Sequence, residues 1–245
     1  GGQVNTNSTH GQTNFDGSIL SVSQANTTAG FSIVTYTGTG SGNTIGHGLG
    51  TTPHWIIAKV RSTTNNWGVW HQDLGGANKY LKLNTTDSTI TATDVWNNTL
   101  PTSTVFSTGA AGTTNDNGET YIAYCFAEKK GYSEFGSYTG NGNADGTFVY
   151  TGFKPSWVLI KASSKTDSWL LMDSARSTFN VVSNTLATNS SGSENADTGG
   201  IPTDFLSNGF KCRGSGGDFN QNGATYIYMA FAEHPFVSSE GVPVT

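Results

Sequence analysis

The chain of 245 residues is poor in charge, in cysteine and in long apolar runs. Only 12% of its residues are Asp, Glu, Lys or Arg, against about 25% in an average soluble domain. The 12 Lys and Arg are scattered and the formal net charge is -5, so no basic stripe exists to neutralise phosphates, which excludes a nucleic-acid partner. No apolar run approaches the roughly 18 residues of a membrane-spanning helix, so no membrane insertion is expected. Cys125 and Cys212 are too few for a disulfide framework. One lies in an apolar strand-like run and the other in a polar stretch, so two free thiols are expected. The five His show no His-x-His or His-Glu-x-x-His spacing, and Gly-x-Ser-x-Gly is absent. Neither a zinc centre nor a nucleophilic triad is therefore readable, and no enzyme is expected. The chain opens Gly1-Gly2 with no signal-peptide pattern, which reads as a trimmed product or the ordered part of a longer chain.

What is abundant is small and polar: 36 Thr, 32 Gly, 26 Ser and 22 Asn, nearly half the chain. Gly is entropically costly in a helix, Thr is stiff at χ1, and Ser and Asn compete for the backbone hydrogen bonds a helix needs. An all-α protein or a coiled coil is excluded. Disorder is excluded too, because 13 Phe, 9 Tyr and 6 Trp supply a core that disordered chains lack.

The sequence repeats itself. Shifted by 102 positions, Tyr36 to Trp67 matches Tyr138 to Trp169 at 11 of 32 places, including Tyr36, Pro53, Trp55, Lys59 and Trp67. Shifted by 105, Asn115 to Glu128 matches Asn220 to Glu233 at 9 of 14 places, through Asn-x-Asn-Gly, Thr-Tyr-Ile and Phe-Ala-Glu. The expected organisation is an arm or linker at 1–30, a first unit at 31–131, a second at 132–237 and a tail at 238–245. Each unit reads as short antiparallel strands between Gly, Asn and Thr turns. Pro53-x-Trp55 and Pro155-x-Trp157 open strands, and Asn-Gly turns lead into Tyr121 to Glu128 and Tyr226 to Glu233. The fold class expected is all-β: two tandem duplicated β-sandwich domains, jelly-roll-like, with an extended N-terminal arm.

Candidate chemistry is sparse. Trp55/Trp157 and Trp67/Trp169 recur in both units and are expected in a shared core. Trp70, His71, Asp73, Tyr80 and Trp96 belong to the first unit alone and mix rings with polar groups beside loops. A glycan site stacks sugars on such rings and flanks them with hydrogen-bonding side chains, so these five are the candidate ligand-binding residues. The alternative is that Trp70 and Trp96 fill a gap between domains or subunits. Asp218-x-Asn220-x-Asn222-Gly223 has the opening of a calcium loop but carries Met229 where the bidentate Glu belongs. Asp218, Asn220 and Asn222 are thus the candidate calcium ligands, with a tight turn the competing explanation. Glu128 and Glu233 recur at strand ends, where a salt link or turn cap is expected.

Several segments resemble a tandem domain of tail-fibre-like and other virion surface proteins of marine bacteriophages: Phe135 to Trp157, the strand closing at Gly131, Ala224 to Glu233, Thr44 to Pro53 and Asn14 to Gly17. The resemblance covers nearly the whole chain and brings no catalytic residues. It implies a structural protein on the virion surface, extracellular, that contributes to host-surface or glycan recognition. It also implies partners among other virion proteins and other copies of itself, as a homotrimer or higher cyclic oligomer. A purely architectural component such as a capsid decoration or fibre shaft, or a bacterial surface adhesin, is the alternative. A glycan-cleaving depolymerase is the enzyme alternative.

Overall fold

Alternation with a period of two governs the strands. Along Phe31–Thr37 the residues Ser32, Val34 and Tyr36 are buried while Phe31, Ile33 and Thr35 are only half-buried, the signature of a strand with one face on a core. The structure, a computed structural model, describes residues 11–195 and 201–234. The first ten residues of the arm and the expected tail at 238–245 lie outside the described residues. The protein is nearly all β, as the composition demands.

The chain divides into two units. The first holds β1 (Gln12–Asn14), β2 (Ser21–Asn26), β3 (Phe31–Thr37), β4 (Asn43–Gly46), β5 (Trp55–Val60), β6 (Gly68–His71), β7 (Lys79–Lys82), β8 (Ile90–Thr91), β9 (Val105–Thr108) and β10 (Thr120–Phe126). The second holds β11 (Ser133–Thr139), β12 (Phe148–Tyr150), β13 (Pro155–Ala162), β14 (Trp169–Asp173), β15 (Thr185–Ala187), β16 (Thr203–Leu206), β17 (Gly209–Cys212), α1 (Gly217–Asn220) and β18 (Thr225–Ala232).

Strands at matching sequence positions hold matching places. The large sheet of the first unit runs β1-β2-β3-β10-β5-β6-β7-β8, and that of the second runs β11-β18-β13-β14-β15. The small sheets are β4-β9 and β12-β17-β16. In the second unit the first and last strands, β11 and β18, pair in one sheet and the second and penultimate, β12 and β17, in another. Once the arm strands β1 and β2 are set aside, β3 with β10 and β4 with β9 do the same in the first unit, the wrapping order of a jelly roll. The next strands depart from it, because β13-β14-β15 and β5-β6-β7-β8 run as meanders within one sheet. Each core lies between a large and a small sheet, with Val34, Tyr36, Ile56, Trp70, Trp96 and Phe106 in the first unit and Tyr138, Val158, Leu170, Phe205 and Phe210 in the second.

One polar constellation is found in each unit. The Tyr36 ring stacks on Tyr121 at 5.2 Å, and Tyr138 stacks on Tyr226 at 5.1 Å. The Tyr36 hydroxyl donates to the Thr114 carbonyl and that of Tyr138 to the Phe219 carbonyl, both at 2.6 Å. Beside them sits a fully buried Asn. Asn115 accepts from the Thr39 N–H at 2.9 Å and donates to the Gly109 carbonyl at 2.7 Å. Asn220 accepts from the Asn141 N–H at 3.0 Å and donates to the carbonyls of Gly214 at 2.8 Å and Asn143 at 3.0 Å. Glycines at Gly118 (φ 79°) and Gly223 (φ 75°) take the left-handed turn entering the last strand.

Three expectations change. The described part of the arm is no linker: β1 and β2 pair onto β3 and extend the first unit's sheet, with Ile19, Ser21 and Ser23 buried inward while Phe15, Leu20 and Val22 stay exposed. The boundary is not a single cut at 131, since residues 83–89 belong to the second unit. The N–H of Thr89 donates to the Ser163 carbonyl and that of Asp167 to the Thr86 carbonyl, both at 2.9 Å. Nor do the recurring Trp residues form the core between the sheets. Trp55 and Trp169 are buried on the opposite face of each large sheet, and Trp67 and Trp157 are half-buried. Recurrence marks equivalent positions, not which side of a strand faces the core.

Candidate functional site

The residues nominated from the sequence lie mainly in the first unit's interior. Trp70 is 4% exposed and Trp96 2%, and both join the core with the buried Tyr80. Their rings touch core side chains; Trp96, for one, meets Phe106 edge-on at 6.4 Å. None offers a sugar a free face. His71 is fully buried, caps a short 3-10 turn by accepting from the Asp73 N–H at 3.0 Å, and has its pKa pushed down to about 3 by burial and by His54. Asp73 alone is exposed. The physical reason is parity: Trp70 falls on the core side of β6, and burying a large ring outweighs the local polarity that suggested a loop.

The calcium motif does not assemble. Asn220 spends its side chain on the 141–147 and 214 loops, Asn222 is exposed, and Asp218 turns instead to Asp167. Among the described residues no group of three His, Cys, Asp or Glu is placed to hold a metal. Glu233 does form the expected salt link, to Lys154 at 2.6 Å. Both thiols are free and buried, and burial raises each to about 12.

A pair of carboxylates went unread in the sequence. Asp167, after β13, and Asp218, on α1, share a hydrogen bond. Burial first, then Asp167, raises Asp218 to about 6. Burial works against Asp167 too, but hydrogen bonds from Asp218, Lys165 and the Ser168 N–H hold it below the usual carboxylate range. Lys165 lies 2.8 Å from Asp167 and 3.2 Å from the Gly217 carbonyl. The first unit has Asn65 and Thr113 at the corresponding positions. The pair ties a loop to a helix.

The surface that stands out is the outer face of the second unit's small sheet. On β12, Val149 points into the core while Phe148 and Tyr150, 43% and 66% exposed, point out. Cross-strand neighbours complete the face: Lys211 lies opposite Phe148, Gly209 opposite Tyr150, and Asp204 on the far side of Lys211. Gly209 is required, because a Cβ there would strike the Val149 carbonyl and come within 3.1 Å of the Phe148 ring. The ring therefore lies low across the sheet.

The first unit shows what is unusual here. Thr44 and Gly46 hold the places of Phe148 and Tyr150, and Ser107 that of Lys211. There the arm covers them. The Ile19 N–H donates to the Thr44 carbonyl at 3.0 Å, Ser18 binds Thr44, the Ser21 hydroxyl donates to the Gly46 carbonyl at 2.9 Å, and the Asn14 side chain fills the space a Gly46 side chain would need. In the second unit small covered residues are replaced by large bare rings. Among the described residues no backbone N–H donates to the Phe148 or Tyr150 carbonyl on the edge away from β17.

Charge is concentrated at the same place. Asp145, 81% exposed on its side chain, lies 2.6 Å from Lys211 and 3.4 Å from Arg213. Hydrogen bonding and charge from Lys211 hold its carboxyl below the usual range. Arg213 is anchored from behind by Asp204 at 2.5 Å. Two flat rings beside hydrogen-bonding and ionic groups on an open sheet match the chemistry of sugar recognition. A sequence signal existed: the shift of 102 sets Phe148 and Tyr150 against the small residues Gly46 and Gly48, and strand pairing moves the equivalence to Thr44 and Gly46. It is recognisable only once the strand pairing sets the register.

Residues 5–235 match the family model described as Domain of unknown function (DUF7483), and the chain belongs to that family. No curated protein and no solved structure matches the chain.

Proposed function

We propose that this member of the DUF7483 family is a non-enzymatic structural protein of a virion exterior, of tail-fibre or spike type, and that its second unit binds host-surface glycan on the Phe148–Tyr150 face. The observation that carries the binding reading is the contrast between the two units: the same face is small and covered in one, aromatic and bare in the other. Neighbouring exposed apolar side chains rimmed by polar groups are a mark of interaction surfaces. The shared strand order and the Tyr–Tyr–Asn constellation support reading the units as copies of one framework, of which one copy carries the binding face. The placement on a virion is supported by the sequence resemblance to tail-fibre-like proteins. A glycan array tests the binding role. The wild-type chain binds a subset of oligosaccharides, and Phe148→Ala and Tyr150→Ala each weaken that binding about tenfold, the worth of one stacked ring, with unchanged thermal stability. An array without hits, or hits that both variants retain, refutes it.

The architectural reading, a fibre shaft or capsid decoration, has one observation of its own. Phe15, Leu20 and Val22 are exposed on the arm, where a second copy of the chain would cover them in a trimer or higher ring. Sedimentation of the wild type against a Leu20→Ser, Val22→Thr variant decides it: an oligomer that the variant dissociates supports this role, and a monomeric wild type refutes it.

A further inference from the structure

We infer that the Phe148–Tyr150 face selects acidic glycans, carrying uronate or sulfate groups, and that Asp145 is a built-in competitor occupying the acid subsite. This rests on the glycan-binding reading. The chain has only 12 Lys and Arg, yet two of them converge beside its exposed rings, and neither has a basic counterpart in the first unit, where Ser107 and Gly109 hold the places of Lys211 and Arg213. Lys211 is the direct cross-strand neighbour of Phe148, so a sugar stacked on that ring carries its substituents within reach of the ammonium.

The two cations are held by different kinds of partner. Asp204, 11% exposed on its side chain, anchors Arg213 at 2.5 Å and fixes the guanidinium. Asp145 is 81% exposed, reaches both cations through one oxygen, and sits on a short loop. Its backbone is secured independently of the carboxylate: the Asn141 side chain donates to the Asp145 carbonyl at 3.2 Å, and the Gly146 N–H donates to the Cys212 carbonyl at 3.1 Å. The Asp145 side chain can therefore swing into solvent without the loop opening. An exposed ion pair is weak and screened by salt. A ligand carboxylate or sulfate presents the same charge to Lys211 and to the planar fork of Arg213 while its ring stacks on Phe148, so it displaces Asp145. A neutral sugar has no group to do so.

Calorimetric titration of the whole chain with an oligogalacturonate and with a neutral hexose oligosaccharide of equal length tests this. The wild type binds the uronate more tightly than the neutral oligomer, and the preference shrinks in high salt. Asp145→Asn tightens uronate binding roughly twofold to fivefold, the range an exposed ion pair contributes, and leaves neutral binding unchanged. Lys211→Met removes the preference. Neutral and acidic oligomers bound alike, or Asp145→Asn leaving uronate affinity unchanged, overturns the inference while Tyr150-dependent binding upholds the glycan reading. No binding of either oligomer, or binding indifferent to Tyr150→Ala, overturns both.

Discussion

Replacing Asn220 by Ala separates the two explanations of the Asp-x-Asn-x-Asn-Gly sequence, a calcium loop and a hydrogen-bonded turn. The side chain is fully buried and takes part in five hydrogen bonds, two with the side chains of Asn141 and Thr147 and three with backbone groups, from the Asn141 N–H at 3.0 Å and to the carbonyls of Asn143 at 3.0 Å and Gly214 at 2.8 Å; these last three set the scale. A net contribution of about 1 kcal/mol each, with the partners on partly exposed loops able to regain water, sets the loss at about 3 kcal/mol. For a unit of this size that lowers the melting temperature by roughly 10–20 °C. Asn220→Asp is worse, since a carboxylate has no N–H to offer the two carbonyls and meets them with like partial charge. Scanning calorimetry with and without millimolar calcium reads both variants, and only the second unit's transition moves. The counterpart Asn115→Ala lowers the first unit's transition instead, because Asn115 makes the equivalent bonds there. A loss below about 0.5 kcal/mol for Asn220→Ala, or calcium stabilising Asn220→Asp above the wild type, refutes the reasoning.

Trp70→Ala opens a cavity in the first unit's core and costs about 3–5 kcal/mol in urea denaturation while leaving glycan binding by the second unit intact; loss of binding without loss of stability would restore Trp70 as a ligand residue. Asp218 is raised from 3.8 to about 6 in the folded state. Its protonation therefore stabilises the fold fully below pH about 3.8, and that contribution is lost as pH rises through about 6. The second unit's melting temperature falls over that window and Asp218→Asn flattens the fall; an unaltered pH profile in the variant shows that the pair does not share a proton. Cys125 and Cys212, buried with thiols raised to about 12, react with a disulfide reagent only after denaturant is added, and labelling of the native protein at the rate of a free thiol contradicts their burial.

The strands were legible because their signals are local. Pro155 opens β13 and Asn222-Gly223 precedes β18, each by a preference that acts over a few residues of backbone. The place of the arm in the sheet is not legible for the same reason. Its polar residues carry no periodicity of their own, and Gln12–Asn14 becomes a strand only because Ser21–Asn26 lies beside it. Asp167 and Asp218 were invisible as a pair, since nothing local to either announces the other.

By itself the sequence determined an all-β chain: its Thr, Gly, Ser and Asn excess disfavours helices and supplies turns, and its matching Tyr, Trp and Asn-Gly positions foreshadow strands in the same order in both units. Tertiary structure alone decided which rings face the core and which face solvent. Trp70 and Trp96 went inward while Phe148 and Tyr150 stayed bare, because exposure depends on what packs over a strand, and the arm that covers Thr44 and Gly46 in the first unit has no counterpart among the described residues over β12. Local propensity is a property of neighbours in sequence; a binding face is a property of neighbours in space.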